Sequence, residues 1–149
     1  MDAPEQPPQR LRQLPSWLLN RAANAANGHV GAAFAQEGVR KHHFTVLLAL
    51  TESGPASQAD LGRRLGIDRS DMAAVVADLE GDGLIARERD PGDRRRNVVT
   101  ATEAGAAALA RLDERVSAAQ EQLLAPLSAP ERTELTRLLR RLLDPPPTP

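Results

Sequence analysis

The chain has 149 residues, the length of one ordinary domain, and its 41% hydrophobic and 26% charged residues exclude wholesale disorder. It contains no cysteine, which excludes disulfides, thiolate metal sites and thiol redox sensing. The formal net charge of -1 excludes a uniformly basic nucleic-acid binder, so any such role must come from local concentrations of charge.

Aromatics are only 2%, leaving Ala, Leu and Val to build an interior that suits helix packing, so a mainly α-helical protein is expected. The opening MDAPEQPPQR lacks a basic start followed by an apolar run. No stretch approaches the ~20 apolar residues of a membrane span, so a cytoplasmic protein without a membrane partner is expected. That segment to about Arg10 and the DPPPTP from Asp144 read as frayed tails.

Leu14, Leu18, Ala22, Ala25 and Ala26 recur at helical spacing after Pro15, predicting a first helix that ends near Gly28 or Gly31 or continues with a kink. A second helix is predicted from about Val39 to Glu52, with His43, Val46, Leu47 and Leu50 on one face and the SGP at Ser53 as its stop. Next, Ser57 with Asp60 opens a short helix that buries Leu61 and Leu65, and Gly66 permits a tight turn. Asp68 then caps another helix, with Met72, Val75, Val76 and Leu79 inward and Gly81 and Gly83 closing it. Two short helices around a Gly-containing turn have the layout of a helix-turn-helix, whose second helix fits a major groove.

Leu84 to Glu88 and Asn97 to Ala101 are predicted strands around the turn at Asp90 to Asp93. A long helix follows Thr102, its Leu109, Leu112, Val116, Ala119 and Leu123 forming a heptad-like seam. Pro126 ends it, and Ser128 starts a last helix with Leu135, Leu138, Leu139 and Leu142 inward.

The stretch LIARERDPGDRRRNVVTATEAG places Arg94, Arg95 and Arg96 at a hairpin tip. Such a tip can enter a narrow minor groove, where negative potential is concentrated. A solvated charged hairpin is the bland reading. Its position directly after a helix-turn-helix favours the groove.

DPGDRRRNVV followed by TEAG resembles the wing signature of the MarR family of ligand-responsive regulators, with a looser similarity from the first helix to the last. The resemblance implies a winged helix-turn-helix with a small β-hairpin wing and N- and C-terminal dimerisation helices. One unit over 1–149 is then expected, with dimerisation helices at 11–38 and 102–144 and a DNA-binding lobe at 39–101. By the same resemblance Arg95 reaches the minor groove, Asp93 orients it, and the helix from Asp68 to Gly81 is the recognition helix.

The DNA-binding residues expected are Ser57, Gln58, Arg63, Arg64, Arg69, Ser70, Ala74, Asp93, Arg94, Arg95 and Arg96. The exposed face of the recognition helix offers Arg69, Ser70, Ala73, Ala74 and Asp78, so base readout is sparse. From Val39 to Ala101 ten cations meet ten acids, a balance that predicts modest affinity and steep salt dependence.

A small aromatic or anionic effector would find Trp17, Arg21, His42 and His43 available for stacking and pairing. Core packing is the other reading of Trp17. Urate-responsive members of the family follow an aromatic residue of the second helix with an aspartate, whereas Phe44 is followed here by Thr45. No metal is expected, because the adjacent His42 and His43 point about 100° apart on a helix. No catalytic constellation or cofactor motif is found. The chain therefore reads as a homodimeric regulator on a pseudo-palindromic double-stranded DNA operator, with a winged-helix protein-interaction module as the alternative.

Overall fold

A computed structural model describes residues 6–144; the outer parts of both expected frayed tails lie outside the described residues. Six helices and three short strands follow one another as α1 (Pro15–Gln36), α2 (Lys41–Ser53), β1 (Ala56–Ser57), α3 (Gln58–Leu65), α4 (Arg69–Gly81), β2 (Ile85–Asp90), β3 (Asp93–Ala101), α5 (Glu103–Leu124) and α6 (Ala129–Leu143). A 3-10 turn at Leu11–Gln13 precedes them. No helix among the described residues is long and apolar enough to cross a membrane.

The local chemistry that starts and stops each helix is visible in the side chains. Pro15 occupies the first position of α1, where its missing N–H costs nothing. The helix runs through Gly28 and Gly31 and stops only at Gly38, whose φ of 67° needs a residue without Cβ. Of the sequence alternatives, continuation past both glycines is the one observed, in one 22-residue helix. Ser57 caps α3 by accepting the Asp60 amide at 3.1 Å, and Asp68 caps α4 by accepting the Asp71 amide at 2.8 Å. Ser128 and Glu131 form a reciprocal capping box at α6.

The antiparallel sheet has the order β1-β3-β2. β2 and β3 pair from Ile85↔Ala101 to Arg89↔Asn97, and only Pro91 and Gly92 separate the strands at the tip. Asp90 braces that turn by accepting the Gly92 amide at 2.9 Å. The wing strands are longer than the sequence pattern suggests, because the charged residues near the tip are also paired. β1 was not expected: it is two residues long, too short to show alternation, and pairs Ala56 and Ser57 with Val99 and Val98.

Contacts divide the chain into two compact units. Val30–Ser117 holds α2 to β3 with the adjoining parts of α1 and α5. Its core joins Phe34, Val46, Leu47, Leu50, Leu61, Met72, Val76, Leu79, Val99 and Leu112. Thr102 closes the join between wing and α5, donating from Oγ1 to the Gly83 carbonyl at 2.7 Å and accepting the Gly105 amide at 3.1 Å. Glu37, at the end of α1, pairs with Arg111 and Arg115 of α5.

The second unit consists of the described residues up to His29 and from Ala118 onward. Here Arg132 of α6 grips the Glu121 carboxylate of α5 at 2.8 and 2.9 Å. The inward placement expected for Leu138 and Leu142 is not what the single chain has: they are 44% and 69% exposed. Leu135 and Leu139 are half-buried, so the helical periodicity was read correctly while part of the expected burial is absent in one chain.

Candidate nucleic-acid interface

Where the first turns of α3 and α4 approach β3, the surface is concave. The cleft has a volume of about 500 Å³ and a rim of Gln58, Arg63, Arg69, Arg95, Arg96 and Asn97 above Ile67 and Met72. Six of the residues expected from sequence to meet DNA line it: Ser57, Gln58, Arg63, Arg69, Arg95 and Arg96. Arg64, Ser70, Ala74, Asp93 and Arg94 are exposed outside the lining. Close backbone contact shapes this corner, since a Cβ on Gly62 would stand 3.0 Å from the Ile67 carbonyl oxygen.

Ion pairs take up part of the charge of this region. Asp60 takes Arg63 and Arg96 as partners, Asp78 takes Arg40, and Glu80 takes Arg87. Arg69, Arg94 and Arg95 have no acidic side-chain partner among the described residues. Arg69, Arg94 and Arg95 are thus left without an ion pair at the recognition helix and wing tip, as are Asp68, Asp71, Asp90 and Asp93 beside them among the described residues. The Ser57 hydrogen bond, with the charges of Arg63, Arg96 and Arg64, holds the Asp60 carboxyl below the usual carboxylate range.

Three residues behave differently from the sequence expectation. Asp93 accepts the backbone amide of Arg95 at 3.0 Å, so it fixes the chain path at the tip and not the guanidinium. Arg96 turns back to the helices and donates to Ser57 Oγ at 3.0 Å and to Asp60 Oδ2 at 3.1 Å. Asp78 is not a free acid on the recognition helix: its Oδ2 accepts from Arg40 at 3.0 Å and from His43 Nε2 at 3.1 Å.

His43 is buried, and its Nδ1 accepts the Arg40 amide at 2.9 Å. The proton therefore sits on Nε2, and both ring nitrogens are occupied within the chain. The His43 hydrogen bond, followed by that of Arg40, lowers the Asp78 carboxyl from its usual range. No sequence pattern announced this tie, because its partners are 35 and 38 residues apart. Of the other expected pocket residues, His42 is half-buried on α2, while on α1 the Arg21 guanidinium lies 5.3 Å from the centre of the Trp17 ring.

Two helices joined by a tight turn and followed by a two-stranded wing define a winged helix-turn-helix protein. The MarR family model matches residues 37–96. The transcriptional repressor NicR of Pseudomonas putida is 36% identical over 68% of this chain, and the aligned stretch spans 64% of NicR's own length. The PcaV transcriptional regulator of Streptomyces coelicolor, solved with its natural ligand, is 32% identical with a TM-score of 0.78, covering 97% of this chain and 98% of PcaV. The repressor CouR, solved on a 23-mer DNA duplex, is 29% identical with a TM-score of 0.86, covering 94% of this chain and 99% of CouR. The chain belongs to the MarR family, a family of transcription regulators and not of enzymes.

Proposed function

We propose that this chain is a DNA-binding repressor that acts as a homodimer on a pseudo-palindromic operator and is released by a small aromatic or anionic effector. The cleft carries the reading: Arg69 at the start of α4 and Arg95 on the wing reach one concave face with no acid paired to either among the described residues. In this reading α4 enters a major groove, where Arg69 and Ser70 meet base edges or phosphates, while Gln58, Arg63 and Arg64 of α3 and the wing face the backbone. Arg94 and Arg95 occupy the adjacent minor groove. CouR, with its DNA duplex, supports the grooved geometry by likeness of fold. The expected division is a reading lobe over 39–101 with dimerisation helices at 11–38 and 102–144. The exposed leucines of α1 and α6 support the dimer, since an uncovered stripe of that kind is a solubility liability.

Effector release rests on the likeness to ligand-bound PcaV and on the Trp17–Arg21 pair, an aromatic face beside a cation. His42 remains available for pairing, whereas His43 is committed to Arg40 and Asp78. An effector that favours one spacing of the two reading lobes shifts the population away from DNA.

Selection from random duplexes, followed by anisotropy titrations at several salt concentrations, tests the reading. The expected result is an enriched sequence bound with log K falling linearly against log salt. Absence of enrichment together with salt-independent binding would leave the protein-interaction module as the better account.

A further inference from the structure

The three consecutive arginines of the wing look interchangeable in sequence, but the structure separates them. Arg95 has no side-chain partner among the described residues, whereas Arg96 donates through one terminal nitrogen to both Ser57 Oγ and Asp60 Oδ2. Those acceptors belong to the cap and first turn of α3, where Ser57 is itself buried and engaged with the Asp60 amide. The partner strand β1 reaches only Val98 and Val99, so the outer wing from Asp93 to Asn97 is supported by β2 alone. A two-stranded ribbon is marginally stable by itself. Among the described residues, two polar side-chain ties join the wing to the helices: Arg87 to Glu80 of α4, and Arg96 to Asp60 of α3 and its cap Ser57.

We infer that Arg96 is a positioning residue rather than a DNA contact: with Asp60 it clamps the wing to the first turn of α3 and so sets where Arg95 is presented. This rests on the DNA-binding reading above and assigns different work to two neighbouring arginines. A guanidinium held between a hydroxyl and a carboxylate has already lost much of its freedom, so the tip arrives at the groove with less ordering left to do. The anchoring acid stands close to a polyanion, which gives the idea an unusual sign. A phosphate-contact role for Arg96 makes Asp60 an electrostatic liability. A clamp makes it necessary.

The test is anisotropy titration of the selected duplex at several salt concentrations with the unaltered chain, Arg95→Ala, Arg96→Ala and Asp60→Asn, each checked for an unchanged far-ultraviolet spectrum. Asp60→Asn keeps the backbone amide that Ser57 caps, so α3 retains its start. The expected result for Arg95→Ala is a salt slope reduced by about one unit. Arg96→Ala should bind about tenfold more weakly with its slope unchanged, and Asp60→Asn should also bind more weakly although it removes a negative charge. A slope reduction for Arg96→Ala equal to that of Arg95→Ala, or tighter binding by Asp60→Asn, would overturn the clamp and leave the DNA-binding reading intact. If Arg95→Ala binds like the unaltered chain, the wing does not touch DNA and both readings fall.

Discussion

The two compact units of this chain solve the burial problem in opposite ways. In Val30–Ser117 the large apolar side chains are covered within the chain, with Val46, Leu47, Leu61, Val76 and Val99 fully removed from solvent. Among the described residues of the other unit Ala119 is the one buried apolar residue, and Leu14, Leu18, Leu19, Leu138, Leu142 and Leu143 stand exposed. The first region spends its apolar surface on holding a charged cleft in shape. The second keeps its apolar surface available, which is what a subunit interface requires before its partner arrives. The proposed division of reading from pairing therefore has a physical basis in where the leucines are covered.

The sharpest way to break this contrast is to remove the same side chain from each region. Leu47→Ala should destabilise the fold by about 3 kcal/mol, read as a lower denaturation midpoint, because a fully buried site cannot collapse around the missing atoms. Leu142→Ala should leave the fold of the single chain unchanged and weaken dimerisation instead, by about 1.5 kcal/mol in sedimentation equilibrium. Equal losses of fold stability would erase the distinction between the units.

Gly105→Ala sharpens the first half of the comparison. An added Cβ would meet the Leu84 carbonyl, a backbone group that cannot swing aside, so a loss of about 2 kcal/mol and a lower Tm are expected. The same substitution at Gly28 or Gly31 meets open space in one chain and should stabilise α1 by up to about 1 kcal/mol. A gain in Tm at Gly105 would show that the wing and α5 pack less closely than described.

Acid should produce the smallest effect. Asp60 and Asp78 have carboxyl groups held below the ordinary aspartate range, so their contribution is present above that range and is lost as pH falls through the lowered folded values. Both sites are open to solvent, which keeps the contribution small. Denaturation midpoints measured from pH 5 downward should decline less steeply in Asp60→Asn with Asp78→Asn than in the unaltered chain. An identical decline would mean that neither tie stabilises the fold.

Local chemistry made much of the fold legible from sequence. Ser57, Asp68 and Ser128 announce helix starts because capping is decided within a few residues, and the apolar spacing of Met72, Val75, Val76 and Leu79 marks the inner face of α4. Tertiary outcomes were less accessible. β1 exists because β3 offers it an edge, and α1 passes two glycines that would weaken an isolated helix. The arginine cluster was visible, but its division into Arg95 and Arg96 depends on Asp60, 36 residues from Arg96. Asp78 is exposed as its spacing indicates, but its ties to Arg40 and His43 were not legible, because spacing gives the direction of a side chain on its own helix and not the partners that come from the start of α2.

The central claim is that two closed lobes are paired by open terminal helices on one duplex. Hydroxyl-radical footprinting of the selected DNA, with the number of chains per duplex measured on the same complex, tests it most directly. The account predicts two chains and two protected tracts whose centres lie about 34 Å apart, one turn of B-DNA. One chain protecting a single tract would contradict it.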